Sequence, residues 1–314
     1  MRRATFFVGV DGGGTKTEAC VTDAHGTVLG RGSGGPANHY TAGGQQAMLH
    51  AVKAALHAAL TEASLIVDQL SGICVGLAGV GRVEDQRAAR AALQLLWPVM
   101  PLIVIEDIRT ALAAAHGGKN GIVVVAGTGS NCLGKNGPVY IGLGGWGALL
   151  GDEGGAYAVA LAALRQAIRL HEGLRGENST LLARFLTRLN LFSPRDLIPR
   201  LTGMPTAEIA ALAQLVFSSA EAGDELALAI VKEQADTLAE RAAKVADRLS
   251  LDAPHVALVG GCFRDATYVA SVSDLLQARL PAATVFVSQV PPCEGAARLA
   301  RHAYTGAKGD VTFD

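Results

Sequence analysis

The chain has 314 residues, half of them hydrophobic and 18% charged, and 27 Lys and Arg against 28 Asp and Glu leave a net charge of −1. That length buries a substantial core and predicts two domains rather than one, while the composition excludes a disordered chain. No basic stripe is interleaved with aromatics, so nothing points to nucleic acid, and no stretch approaches the roughly 18 uninterrupted apolar residues of a membrane span.

In chain order, "TFFVGV" (5–10) predicts a strand, and a glycine turn separates it from the alternating strand "TEACVTD". "DAHG" turns the chain into a third strand, "TVLGRGS". Residues 45–63 carry apolar positions at helical spacing. "GICVGLAGV" then reads as a buried strand, "VEDQRAARAALQLLW" as a helix, "PLIVIED" as a strand and "RTALAAAHG" as a helix, which completes an α/β domain over 1–116.

The pattern restarts in "GIVVVAGTGSNCLGKNGPVYIGLGG", two or three strands joined by glycine turns, the second around "KNGP". A mostly helical insert runs from about 154 to 250, broken near "SPRD" and "TGMP". "HVALVGGCF", "YVASVSDLLQARL", "TVFVSQV" and "CEGAARLARHAY" follow as strand, helix, strand and helix. A second domain is therefore expected over 117–314, with its last helix a candidate to return to the first. Two halves that each open on a glycine-turned meander suggest a duplication with a cleft between the copies.

The five cysteines (Cys20, Cys74, Cys132, Cys262, Cys293) form no C-x-x-C pair and have no histidine at metal spacing. Such a set predicts reduced thiols in a cytoplasmic protein. The opening "MRRATFFVGVDGGG" has an apolar run too short for a signal peptide.

Three glycine clusters carry the chemistry. In "VGVDGGGTKTE", Gly12, Gly13 and Gly14 follow Asp11 and precede Thr15, Lys16 and Thr17. The spacing matches neither G-x-x-x-x-G-K-[ST] nor G-x-G-x-x-G, and a strand rather than a helix follows. Taken alone, the turn reads equally as an ordinary Gly-rich hairpin or as a nest of amides for an anion. In the second reading Thr15 and Thr17 add hydroxyls and Asp11 holds a divalent cation through water. A second buried strand runs into Gly127, Thr128, Gly129 and Ser130, and a third ends at Gly260 and Gly261, where a flat ring can lie on bare backbone. Three such clusters in this order favour a polyphosphate.

These stretches resemble the phosphate 1, phosphate 2 and adenosine motifs of the sugar kinase, Hsp70 and actin superfamily. That resemblance implies an α/β fold of two ribonuclease H-like (actin-like ATPase) domains closing on ATP. Further stretches are similar to N-acetylglucosamine kinases of the BadF/BadG/BcrA/BcrD ATPase family: "NHY" (38–40), "VGLAGVG" (75–81), "ED" (106–107), "GTGSNC" (127–132) and "GGWGALLGDEGGAY" (144–157). The last is the most specific, and the resemblance covers residues 8 to about 302.

The position of Asp107, at the end of a strand and before a helix, favours a helix cap when taken alone. The resemblance instead implies that it is the catalytic base, and with it that Asp152 binds sugar hydroxyls. It also implies that Asn38, Ser130, Asn131, Gly145 and Trp146 line the sugar site. Glu106 is expected on the opposite side of the strand from Asp107. Arg109, bulky where similar kinases carry small residues, is expected on the exposed face of the helix. Asp152 and Glu153 also read as dipole compensation at the start of a long helix. Trp97 in "LQLLWP" is expected in the core, and His39 and His116 have no assigned role.

The implied activity is ATP- and Mg²⁺-dependent phosphorylation of the 6-hydroxyl of N-acetylglucosamine, with glucosamine or another hexose as the nearest competing acceptor. The implied partner is a small amino sugar, and a homodimer is consistent with the family. A second class of relative, the ATPase activators of CoA-thioester dehydratases and reductases, would gather cysteines for an iron–sulfur cluster, which this sequence does not do. An Hsp70-like protein would need a substrate domain, a sugar-responsive repressor a helix-turn-helix before the first strand, and some glucokinases a His/Cys zinc set.

Overall fold

The computed structural model describes residues 5–38, 40 and 43–304. His39 and the outer ends of the two expected domains lie outside the described residues. The first part of the chain forms β1 (Phe6–Gly12), β2 (Thr17–Asp23), β3 (Val28–Gly34), α1 (Gly44–Glu62), β4 (Leu70–Leu77), α2 (Val83–Leu96), β5 (Leu102–Glu106) and α3 (Asp107–His116). There follow β6 (Gly121–Ala126), β7 (Ser130–Asn136), β8 (Val139–Gly144), α4 (Gly147–Leu150), α5 (Ala156–His171), α6 (Leu181–Leu189), α7 (Leu197–Leu201), α8 (Thr206–Ala211), α9 (Ala213–Glu221) and α10 (Glu225–Arg248). The chain closes with β9 (His255–Val259), α11 (Ala266–Arg279), β10 (Thr284–Val287) and α12 (Pro292–Tyr304).

The strands form two five-stranded sheets, ordered β3-β2-β1-β4-β5 and β8-β7-β6-β9-β10. The orders are equivalent, so the repetition suspected from the glycine-turned meanders is a repetition of topology. In the first sheet β1 pairs antiparallel with β2 and β2 with β3, while β4 joins β1, and β5 joins β4, in parallel. In the second, β9 runs parallel to both β6 and β10. Each is an α/β sheet of the ribonuclease H-like kind.

The described chain divides into two compact units: the residues up to Gly121 with 135–140 and those from Ser288 on, and residues 122–134 with 141–287. In the first, strand alternation sends Val8 and Val10 into a core with Met48, Ala55 and Leu56 of α1. Phe7 faces the other way, onto Ala296 and Ala300 of α12. The residue between Val8 and Val10 has to be glycine. A Cβ at Gly9 would stand 2.0 Å from the Cys293 carbonyl oxygen and 2.1 Å from the Ala297 amide nitrogen, so the backbone of α12 lies directly on β1.

In the second unit the core is built around α5, α9 and α10, with Val159, Val216, Leu238 and Phe185 all buried. The helical insert breaks where expected. Ser193 caps a short turn opened by Pro194, with the Ser193 amide donating to Asp196 Oδ2 (2.9 Å), and Pro205 precedes α8. It also breaks between α5 and α6, where Gly173 takes φ +73° and the Leu174 amide donates back to the Arg169 carbonyl (2.9 Å). Among the described residues no helix is long and apolar enough to cross a membrane.

Candidate active site

The glycine hairpin after β1 is tight: the Gly13 amide donates to the Lys16 carbonyl (2.9 Å). Gly12 is packed, since a Cβ there would meet the Leu77 and Ala37 side chains at 2.7 and 2.9 Å, whereas Gly14 has nothing within 4 Å. Gly14, Thr15 and Lys16 are exposed, so the backbone open to a ligand is the tip of the turn. Thr17 is buried and its hydroxyl donates to the Gly35 carbonyl (2.7 Å), which ties β2 to the end of β3. Lys16 pairs with Glu18 at 2.7 Å.

Asp11, in β1, lies beside Asp107. Burial and the neighbouring Asp107 carboxylate push the Asp11 carboxyl up to about 8. The buried Thr110 hydroxyl donates to the Asp107 carbonyl (2.6 Å) and reaches Asp11 Oδ1 (3.2 Å), so one side chain ties the two acids together. Asp107 opens α3 rather than ending β5, and its Oδ1 accepts from the Ile108 amide (2.8 Å). Glu106 is the last residue of β5, so strand alternation does not extend to relate it to Asp107. A Cβ at Gly81, in the loop after β4, would be 3.3 Å from Glu106 Oε1, so this carboxylate lies over that loop; burial raises its pKa. The same loop touches Asn38: a Cβ at Gly79 would meet Asn38 Oδ1 at 2.6 Å, and Asn38 Oδ1 also accepts from the Tyr40 amide (3.0 Å).

Arg109 is not on an exposed face. Its guanidinium stacks over the Tyr140 ring, 4.6 Å from the centroid, with Lys135 also over that ring at 5.8 Å. Trp97 packs half-buried at the edge of the first core rather than inside it.

In the second unit, the loop at Gly127–Gly129 closes on itself through the Gly127 amide and the Gly129 carbonyl (2.9 Å). The first turn of α5 then donates into it, Ala156 to the Gly127 carbonyl (2.9 Å) and Tyr157 to the Thr128 carbonyl (3.0 Å). Amides that a side chain would otherwise cap are thus satisfied by the loop's own backbone. Gly260, at φ +119°, lies against the end of β6, where a Cβ would meet the Ala126 carbonyl at 2.3 Å, while Gly261 is open. The Cys262 thiol completes the junction, donating to the Gly127 carbonyl (3.4 Å). The phosphate 2 and adenosine candidates are therefore adjacent.

Asp152 and Glu153 do not start α5, which begins at Ala156 after Gly155, so the dipole explanation falls away. Asp152 takes φ +62°, and its Oδ1 accepts from the Gly147 amide (3.2 Å). A Cβ at Gly129 would be 2.1 Å from Asp152 Oδ2, which places this carboxylate against the glycine loop. Burial raises the Asp152 pKa, offset in part by backbone amides of Gly147 and Ser130 and by Arg241. Glu153 is ion-paired with Arg241 of α10. The Ser130 hydroxyl is engaged within the protein, donating to the Glu153 carbonyl (2.6 Å) and accepting from Arg241 Nη1 (3.0 Å). The Asn131 side chain packs against Gly145, where a Cβ would meet its Nδ2 at 2.6 Å, and its Oδ1 accepts from the Cys132 amide (2.8 Å). Trp146 is 72% exposed, and the short α4 after it exposes Leu149 and Leu150.

One family model, that of the BadF/BadG/BcrA/BcrD ATPase family, matches residues 8–300. The chain belongs to that family. An N-acetylmuramic acid/N-acetylglucosamine kinase of Clostridium acetobutylicum is 31% identical to this chain over 269 residues, covering 84% of this chain and 87% of the relative. An N-acetyl-D-glucosamine kinase of Dictyostelium discoideum is 29% identical over 311 residues, covering 94% and 97% of the two chains. Among solved structures, that of a Chromobacterium violaceum protein assigned as an N-acetylglucosamine kinase matches with a TM-score of 0.77 and 27% identity, over 94% of this chain and 98% of the other.

Four residues of the candidate site carry no motif in the sequence: Thr110 between the two acids, and Gln234, Arg241 and Tyr268 around the "GDEGG" loop. The Gly154 amide donates to Gln234 Oε1 (2.8 Å) and the Tyr268 hydroxyl donates to the Gly154 carbonyl (2.7 Å). Gln234 and Tyr268 are buried with polar atoms whose partners must be found inside the protein, a signal that appears only once the fold is known.

Proposed function

We propose that this chain transfers the γ-phosphoryl group of ATP to the 6-hydroxyl of N-acetylglucosamine. The observation that carries the reading is Asp107 at the carboxyl end of the parallel strands β1, β4 and β5, beside Asp11 and in the unit that bears the first glycine hairpin. Ligands of open α/β sheets bind at that end of the strands. The similarity to kinases named for N-acetylglucosamine supports the acceptor.

In this reading Asp107 accepts the proton of the attacking hydroxyl. The amides at the tip of the first hairpin and those of Thr128 and Gly129 hold the phosphates, with the Gly127 amide closing the second loop, while Gly260 and Gly261 leave a bare surface for the adenine ring. Asp152 accepts from sugar hydroxyls, with Asn38, Asn131, Gly145 and Trp146 as neighbours of the sugar and Ser130 fixing the loop between them. Magnesium accompanies ATP and supplies neutralisation of phosphate charge. Among the described residues no group of three or more His, Cys, Asp or Glu forms a ligand set. One acid fits a cation already carried by phosphate oxygens and water, and Asp11 would hold it, since its carboxylate is disfavoured until a positive charge arrives.

The free, buried thiols agree with a cytoplasmic, reducing location. Sedimentation of the purified chain tests the homodimer. The function is tested by coupled ADP release with Mg-ATP against N-acetylglucosamine, glucosamine, glucose and N-acetylmannosamine. Turnover on N-acetylglucosamine is expected to fall by about 10²–10⁴ in Asp107→Asn while ATP still binds. Preference for glucosamine would move the acceptor and keep the mechanism. ATP hydrolysis indifferent to every sugar would overturn it.

A further inference from the structure

The geometry points to Arg241 as the positioning residue of the sugar loop, holding Asp152 in place from a distance of one side chain without touching the substrate. This rests on the kinase reading above and goes beyond it.

Asp152 sits at the start of a tight turn closed by the Gly155 amide and the Asp152 carbonyl (3.0 Å), and it takes a left-handed φ of +62°, which aspartate tolerates better than most non-glycine residues and which the contacts around it hold. There are two sets of these contacts. On the far side Gln234 and Tyr268 bind the amide and carbonyl of Gly154. On the near side everything converges on Arg241. Its Nη1 donates to the Glu153 carbonyl (3.1 Å) and to Ser130 Oγ (3.0 Å), and its Nη2 pairs with the Glu153 carboxylate.

The same side chain reaches a third segment, because a Cβ at Gly144 would stand 3.4 Å from Arg241 Nη1 and 3.6 Å from its Cδ. One guanidinium thus spans the residues before Trp146, the strand after the Gly127–Gly129 loop, and the residue after Asp152. Its planar fork supplies several donors in a fixed geometry, which an ammonium does not. Gln234, Leu238 and Arg241 fall at i, i+4 and i+7 of α10, and a Cβ at Gly154 would be 2.4 Å from the Leu238 side chain. A single face of α10 is therefore the bed on which the sugar loop lies.

The test compares Michaelis constants. Arg241→Gln is expected to raise the KM for N-acetylglucosamine at least tenfold, with the KM for ATP within twofold and kcat changed less than the sugar KM. Arg241→Lys is expected to recover only part of the loss. Glu153→Gln keeps the bonds from Arg241 to Ser130 and to the Glu153 carbonyl, and should cost about two- to fourfold. The Arg241→Gln, Glu153→Gln double variant should be no worse than Arg241→Gln alone, because both changes act on one contact set. A sugar KM within twofold of wild type in Arg241→Gln, or sugar and ATP KM rising in parallel, overturns the positioning role. Absence of sugar turnover by the wild type overturns the kinase reading and this inference together, whereas normal wild-type turnover with an unchanged variant overturns this inference alone.

Discussion

Replacing Asp11 by Asn should make the nucleotide-free protein more stable, and increasingly so as pH rises. Burial and the Asp107 carboxylate move the Asp11 carboxyl from 3.8 to about 8 in the fold. The native state thus binds a proton more tightly than the unfolded chain, and the stability tied to that proton is whole below about pH 4 and drains away as pH rises towards 8. Each decade of proton affinity is worth ~1.4 kcal/mol, so the four decades set a ceiling of ~6 kcal/mol. Water reaching the carboxylate and relaxation around it lower this, and ~2 kcal/mol between pH 5 and pH 8 is the working expectation. Asn presents the shape of the protonated acid with no charge to bury. In thermal melts without nucleotide or magnesium, the melting temperature of Asp11→Asn should pull ahead of wild type between pH 5 and pH 8, by about 2–4 °C per kcal/mol for a unit of this size. A gap that stays constant or closes over that range refutes the account of Asp11 as a carboxylate held short of a counter-charge. The same variant should lose sugar phosphorylation, the usual exchange of stability for function at such a site.

Two further expectations follow from single contacts. Gly9→Ala should destabilise the protein by about 3 kcal/mol or more, or leave it insoluble, because the new Cβ meets the backbone of α12 at 2.0 and 2.1 Å; a urea midpoint close to wild type would mean that α12 does not lie on β1. In a Trp97→Phe background, Trp146 is the remaining tryptophan, and its 72% exposure predicts a long-wavelength emission that shifts to the blue on adding N-acetylglucosamine; an emission maximum indifferent to saturating sugar would remove Trp146 from the sugar site.

The strands and the glycine turns were legible because their signals are local. A run such as "TEACVTD" contains its own alternation, and a turn such as "KNGP" its own breaker. The helix around 109–117 was legible too, but its first residue was not. Asp107 belongs to α3 rather than to the strand, so its direction relative to Glu106 is not given by strand alternation. Local periodicity does not fix an element's end, because there the backbone changes from a period of two to one of 3.6. Arg109 shows the complementary limit. On a helical wheel it is an unremarkable charged residue, and only the return of Tyr140 from a distant strand gives it a partner.

The candidate site divides along the same line. Residues that would touch ligands occur in short motifs, since a loop that wraps a phosphate or a sugar must supply several groups within a few positions. Residues that hold those loops in shape have no such constraint. Gln234, Arg241 and Tyr268 lie 80, 88 and 114 residues from the loop positions they bind, on helices whose sequence reads as ordinary. Ser130 stands at the junction of the two classes. It occupies a candidate ligand motif, yet its hydroxyl is spent on Glu153 and Arg241, so what it contributes is the spacing between the Gly127–Gly129 loop and the loop that carries Asp152. Replacing it by Ala would leave the motif recognisable in sequence and remove the acceptor of one Arg241 bond. The motif therefore records which groups meet the ligand, while the holding of those groups at the right separation depends on a helix face that only the fold brings into view.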